Sequence, residues 1–136
     1  MNGKPFFDTN VVLYAFHKSD PRAQVAESLL AGGGTISVQV LNEFAAVARR
    51  KLRRSWEDID RALAILRTFC PEPAPLTLHT HERAMDIARR SGYSIFDSLV
   101  IAAALETGST ILYTEDMQGG QKIDGLTIVN PFSDLA

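Results

Sequence analysis

Ser94-Ile95-Phe96-Asp97-Ser98-Leu99-Val100-Ile101-Ala102-Ala103-Ala104-Leu105, followed by Thr110-Ile111-Leu112-Tyr113-Thr114-Glu115-Asp116, is the stretch from which the fold is read. Between Ile95 and Leu105 the only polar side chains are Asp97 and Ser98. A helix with no polar face has to be buried nearly all round. Ser94 and Asp97 stand three apart in the form of a capping box that would start this helix, and the helix ends before Gly108. Thr110–Thr114 then reads as a short strand. A fully buried helix leading into a short strand belongs to a layered α/β protein whose sheet lies between helices.

The rest of the chain repeats that grammar. Downstream, Gly119-Gly120 marks a loose loop and Leu126–Val129 a last strand. Upstream, Thr80–Arg90 predicts an amphipathic helix ended by Gly92, and Leu76-Thr77-Leu78 a short strand. Pro71, Pro73 and Pro75 form a break too short to be a domain linker. Ser55-Trp56-Glu57-Asp58 opens a helix through Ile59, Leu63, Leu66 and Phe69. Before it, Leu41, Phe44, Ala45, Ala48 and Leu52 recur at helical spacing. Thr35-Ile36-Ser37 predicts a minimal strand. Asp20-Pro21 predicts a helix start, with Asp as N-cap and Pro at the first helical position, and that helix stops at Gly32-Gly33-Gly34. Phe6-Phe7 predicts a strand, followed by the polar turn Asp8-Thr9-Asn10 and a helix from Val11. The expected architecture is a three-layer α/β sandwich, a short mostly parallel sheet flanked by helices, in one domain over residues 1–136.

Composition bounds the function. With 136 residues, 46% hydrophobic and 22% charged, the chain is globular rather than disordered or fibrous. One cysteine, Cys70, excludes an internal disulfide and a cysteine-built zinc cage, and suits a reducing cytoplasm. A net charge of -2, from 14 basic and 16 acidic side chains, excludes a generally basic nucleic-acid coat but not a local basic patch. Met1-Asn2-Gly3-Lys4, with Asp8 close behind, fits no signal peptide. The longest apolar stretch, Leu99–Leu105, is about a third of a membrane span.

In open α/β sheets, sites form beyond the carboxyl ends of the strands. Asp8 follows the first strand and Asp116 the strand at Thr110–Thr114. Asp8 is either a helix cap or a site carboxylate, and Asp116 either a loop carboxylate or its partner. Glu115 adjoins Asp116, but side chains alternate at a strand end, so only one of the two faces the site. Asp97, on an otherwise apolar helix, must be hydrogen-bonded, neutralised or paired with a cation. The capping box and a metal-ligand role both account for it and are compatible. Glu43 lies off the apolar stripe of its helix and alone reads as a flanking surface residue. Four carboxylates meeting at one cleft repel one another unless a divalent cation is held there. An all-oxygen donor set selects Mg²⁺ or Mn²⁺ over zinc. Such an ion orients a water, lowers its pKa and neutralises a phosphodiester. Asn10 and Thr114 are placed to hydrogen-bond the carboxylates.

Other signals fail. His81-Glu82-Arg83-Ala84-Met85 begins like a zinc-protease helix but has Met85 at the second histidine position. Gly32-Gly33-Gly34 lacks the spacing and lysine of a phosphate-binding loop. Asp8-Thr9-Asn10-Val11-Val12 lacks the second aspartate of an aspartyl-phosphatase start, and Cys70 has no activating neighbour. Arg49, Arg50, Lys51, Arg53 and Arg54 put five cations into six positions on the last turns of the Glu43 helix. They are either a solvated helix end suited to the dipole or a surface that contacts RNA phosphates.

Phe7-Asp8-Thr9-Asn10, Leu41-Asn42-Glu43-Phe44, Ser94-Ile95-Phe96-Asp97-Ser98 and Leu112-Tyr113-Thr114-Glu115-Asp116 together resemble the PIN domain, nearest to the VapC-type toxins of toxin–antitoxin pairs. The resemblance spans Phe6 to about Pro131. It implies a metal-dependent endoribonuclease with the acidic quartet Asp8, Glu43, Asp97 and Asp116, of which Asp8, Asp97 and Asp116 would hold Mg²⁺ or Mn²⁺. The Thr-x-Asp form of the fourth motif selects Asp116 over Glu115. A homodimer and a small inhibiting antitoxin are implied as well. Phe96 stands where tryptophan is frequent, and Met117-Gln118 departs from the usual pair after the fourth acid. A degenerate PIN fold that only binds RNA or protein, and a metal-dependent phosphatase of small molecules, are the alternatives. The presence of all four acids disfavours the first, and the basic run disfavours the second.

Overall fold

The computed structural model describes residues 3–135; of the domain expected over residues 1–136, residues 1, 2 and 136 lie outside the described residues. The described chain runs β1 (Phe6–Phe7), α1 (Thr9–Ala15), α2 (Ala23–Ala31), α3 (Val38–Arg50), α4 (Trp56–Phe69), α5 (Leu78–Ser91), α6 (Ile95–Glu106), β2 (Ile111–Tyr113), β3 (Lys122–Ile123) and β4 (Leu126–Val129). The strand order is β1-β2-β4-β3. β1, β2 and β4 are parallel, with Phe7 opposite Tyr113 and Tyr113 opposite Val129, so their carboxyl ends share one edge. β3 closes the far edge antiparallel to β4 through Asp124-Gly125, both at positive φ (50° and 91°) as a tight hairpin turn requires.

A parallel sheet is stable only when both faces are covered, and its strands are accordingly apolar. Phe6, Phe7, Leu112, Leu126 and Ile128 are fully buried. The expectation for α6 holds: every side chain from Ser98 to Ala104 is buried. α5 packs along α6, α1–α4 pack on one another, and α3 meets α6. The expected α/β domain with a short, mostly parallel sheet is what forms.

Local departures have physical causes. Asp20 does not cap α2, which starts at Ala23; its carboxylate is taken by the backbone and guanidinium of Arg22, which closes a separate turn ahead of the helix. Leu76–Leu78 is not a strand. Thr77 caps α5, accepting from the Thr80 N–H, and Leu78 is that helix's first residue. The Thr35–Ser37 strand is reduced to single bridges, Thr35 to Phe6 and Ser37 to Ala74, because α3 begins at once at Val38. α3 ends at Arg50, so Leu52, Arg53 and Arg54 lie beyond it. β3 has no counterpart in the sequence reading; two residues carry no periodicity. No helix among the described residues is long and apolar enough to cross a membrane.

Candidate active site

The shared carboxyl edge of β1 and β2 places Asp8. It caps α1, with Oδ1 accepting from the Thr9 N–H at 2.7 Å and Oδ2 from the Thr114 hydroxyl at 2.8 Å. Only 5% of the residue is exposed. Burial pushes its carboxyl up to about 7, against the lowering effect of the Thr114 and Thr9 bonds, and the nearby Asp97 and Glu43 push the same way. Asp8 is thus a helix cap, and it also borders the cleft at this edge of the sheet.

The other three acids arrive from different elements. Glu43, midway along α3, accepts from the Thr9 hydroxyl at 2.8 Å, which ties α3 to the start of α1. Asp116, just beyond β2, accepts from Asn10 Nδ2 at 3.0 Å, and its own N–H donates to Thr114 Oγ1 at 3.2 Å. Asp97, in the first turn of α6, donates its N–H to Ser94 Oγ at 3.1 Å. Only that half of the capping box forms, and the Asp97 carboxylate remains available to the cleft. Burial raises its pKa, followed by the charges of Asp116 and Glu43, while Ser94 opposes the shift. Asp8, Glu43, Asp97 and Asp116 line one cleft of about 360 Å³ together with Asn10 and Arg50.

Among the described residues, no three His, Cys, Asp or Glu side chains stand gathered as a ready-made cage. The donor set still fits Mg²⁺ or Mn²⁺. Mg²⁺ keeps much of its water and is commonly bound through one or two carboxylates plus substrate phosphate, so a closed cage is not required. Burial raises the pKa of Asp8 and Asp97, and the neighbouring carboxylates add to both shifts. The apolar groove between α1, α3 and α4, lined by Leu13, Phe16, Phe44, Leu52 and Ile59, contains none of the four acids.

Behind the cleft lies a network that the sequence reading did not assign. Glu115 turns away from the cleft, as strand alternation predicts. It accepts from the Tyr14 hydroxyl at 2.5 Å and from Arg22 Nη1 at 2.9 and 3.0 Å. Arg22 also lies over the Tyr14 ring at 3.8 Å and pairs with Asp20. Burial, and then the bond to Glu115, pushes the Tyr14 hydroxyl up to about 12. The Glu115 N–H donates to Asn10 Oδ1 at 3.2 Å, while Asn10 Nδ2 reaches Thr114 and Asp116, so the clamp and the cleft share one asparagine. The carboxylate adjoining the Thr-x-Asp motif and the Asp20-Pro21-Arg22 turn were its only sequence signals. Arg22→Leu leaves Glu115 and Asp20 half-buried without their cation, a loss of about 1–3 kcal/mol. The expected result is a lower thermal midpoint, with Glu115→Gln falling between that variant and the native protein.

The basic run is split. Arg50 lines the cleft. Arg49 lies over the Trp56 ring and donates to the Arg54 carbonyl, and Arg54 reaches the Phe16 carbonyl at 3.4 Å. Lys51 is the C-cap of α3, and Arg53 adopts a left-handed φ of 55°. Cys70 is buried, and burial pushes its thiol up to about 11, the state of an inert core cysteine.

The PIN domain family model matches residues 6–121. Solved structures with the same fold include the VapC20 toxin of Mycobacterium tuberculosis, described as cleaving the sarcin–ricin loop. It is 25% identical, with a TM-score of 0.69 over 82% of this chain and 89% of that one. A toxin–antitoxin complex from Klebsiella pneumoniae is 22% identical, with a TM-score of 0.70 over 93% and 97% of the two chains. VapBC2 from Rickettsia felis, bound to a DNA fragment from its promoter, is 20% identical, with a TM-score of 0.63 over 91% and 96%. No curated protein matches the chain. With the family model covering the chain from β1 past β2, and with it all four cleft acids, the chain belongs to the PIN domain family.

Proposed function

We propose that this protein is a metal-dependent endoribonuclease, the toxic component of a type II toxin–antitoxin pair, acting in the cytoplasm on RNA phosphodiester bonds. The observation that carries the reading is the meeting of Asp8, Glu43, Asp97 and Asp116 in one cleft at the carboxyl edge of the sheet. Asp8, Asp97 and Asp116 would hold Mg²⁺ or Mn²⁺, which supplies charge neutralisation and acidification of water in phosphodiester hydrolysis. The chain's own groups do the positioning. Thr114 and the Thr9 amide hold the two oxygens of Asp8, Asn10 orients Asp116, and the Thr9 hydroxyl holds Glu43. Burial pushes the Asp8 carboxyl of the metal-free chain up to about 7, so binding of the cation there would be coupled to loss of that proton. Arg50 at the cleft meets the phosphate backbone, with Arg49, Lys51, Arg53 and Arg54 continuing the positive surface.

The partners proposed are RNA, a cognate antitoxin protein and a second copy of the chain. The antitoxin follows from the likeness to chains solved within toxin–antitoxin complexes, and the homodimer from the PIN resemblance. Purified protein with Mg²⁺ or Mn²⁺ is expected to cut single-stranded RNA, leaving 5′-phosphate and 3′-hydroxyl ends, and to stop on addition of a chelator. Cleavage that continues in chelator, or RNA binding without any cleavage in either metal, overturns the reading.

A further inference from the structure

The chain has a single tryptophan, Trp56. It opens α4 and is 58% exposed. The guanidinium carbon of Arg49 lies 4.8 Å from its ring centroid, within cation–π range. Arg49 is held in place by a bond to the Arg54 carbonyl at 3.1 Å. The left-handed turn at Arg53 reverses the chain between α3 and α4 and lays Trp56 back over Arg49. Arg49 is followed by Arg50, whose side chain lines the acidic cleft, a step of about 100° round α3. Ring and guanidinium therefore stand at the end of α3 next in sequence to Arg50, which is the residue of this corner that lines the cleft. Lys51 and Arg53 are exposed at the same corner, and Asp58 on the first turn of α4 is paired with Arg61, which offsets its charge.

We propose that Trp56, backed by Arg49, is a stacking platform for one unpaired base of a single-stranded RNA whose backbone runs into the acidic cleft. The choice of RNA rests on the nuclease reading; the platform rests on the exposed ring, its cation and the adjacency of Arg49 to Arg50 of the cleft. Aromatic–base stacking tolerates any base but needs one that is free of a duplex. The guanidinium contributes a charge that attracts the strand, while the exposed part of the ring takes the base. The platform thereby favours loops and unpaired ends over paired RNA.

As the only tryptophan, Trp56 reports on its own contact through its fluorescence. The Asp8→Asn protein, used to prevent cleavage, is titrated with a short oligouridylate and with an abasic phosphodiester chain of the same length, and binding is followed separately by anisotropy of the labelled strand. Expected are saturable quenching by oligouridylate and little by the abasic chain. Trp56→Ala in that background should weaken binding by about tenfold, the scale of one base–aromatic stack, and Trp56→Phe should restore most of it. Thermal melts of both variants check folding, which an exposed ring should hardly affect. Equal affinity in Trp56→Ala and its parent overturns the platform, as do equal quenching by the abasic chain and failure of the oligouridylate to bind. Quenching that grows with protein concentration alone assigns Trp56 to self-association and also overturns it. The two readings fail separately. Cleavage by the native protein with unmoved fluorescence removes the platform alone, and base-dependent quenching without cleavage removes the nuclease alone.

Discussion

Asp8→Asn is expected to lower RNA cleavage by roughly 10³-fold, the consequence of losing several kcal/mol of transition-state charge stabilisation. The same substitution is expected to make the metal-free protein more stable at pH 7. The first follows from the proposed metal-holding role of Asp8, the second from a carboxylate held 5% exposed, with two hydrogen bonds that do not offset the cost of burying its charge. In the folded chain the Asp8 carboxyl titrates near 7, against 3.8 for an ordinary aspartate. Between about pH 4 and pH 7 the folded protein therefore holds a proton that the unfolded chain has released. The stabilising contribution of protonated Asp8 is complete below that window and is lost as pH rises through it, by up to about 4 kcal/mol in all. The raised pKa of Asp97 acts in the same direction.

Asparagine keeps the acceptor for the Thr9 amide without the charge, so a gain of about 1–3 kcal/mol, or roughly 3–10 °C in Tm, is expected near neutral pH and should vanish near pH 4. Thermal melts of both proteins across that range, in chelator, check the sign. Mg²⁺ should stabilise the native protein at pH 7 and leave Asp8→Asn little changed, by the usual linkage of binding to stability. A native protein that is more stable at pH 7 than at pH 4.5 without metal, with no gain in the variant, would contradict the account.

Gly34→Ala is expected to destabilise the fold by about 2–4 kcal/mol, the largest stability effect among the substitutions considered. A Cβ at residue 34 would lie 2.5 Å from Phe7 Cε2 and 2.7 Å from the Pro5 carbonyl oxygen. That oxygen cannot retreat freely, because it accepts from the Thr35 N–H at 2.9 Å while the Phe7 N–H donates to the Thr35 carbonyl at 3.0 Å. Phe7 is fully buried and precedes Asp8, so displacing it also moves the cleft. Denaturant unfolding measures the loss, and an unchanged midpoint would show that β1 yields more easily than its pairing implies. Reduced cleavage under conditions where the variant remains folded is expected as well.

The helices were legible because their signals are local. Ser55 and Ser94 cap as read, and the apolar run Ile95–Leu105 is buried as read. The misread starts at Asp20 and Leu76 have a common cause. A capping-type side chain or short apolar triplet takes its role from whatever binds it, and Arg22 and the Thr77 cap decided those roles. The four acids were named from their place after strands and on helices. The motifs told Asp116 from Glu115, but not that Glu115 is the anchor of a clamp with Tyr14 and Arg22, which lie 101 and 93 positions away in the sequence.

By itself, the sequence determined the order of elements, the buried helix at the centre, the four candidate acids and the family they resemble, since periodicity, capping and motif spacing are properties of neighbouring residues. Only the tertiary structure decided that Asp8 is both cap and cleft carboxylate with a raised pKa, that Asn10 links the clamp to the cleft, and that the basic run divides between Arg50 at the cleft and Arg49 over the Trp56 ring. Burial, hydrogen-bond partners and the sum of nearby charges depend on chain segments brought together from far apart, and they exist only once the sheet has set β1 and β2 side by side.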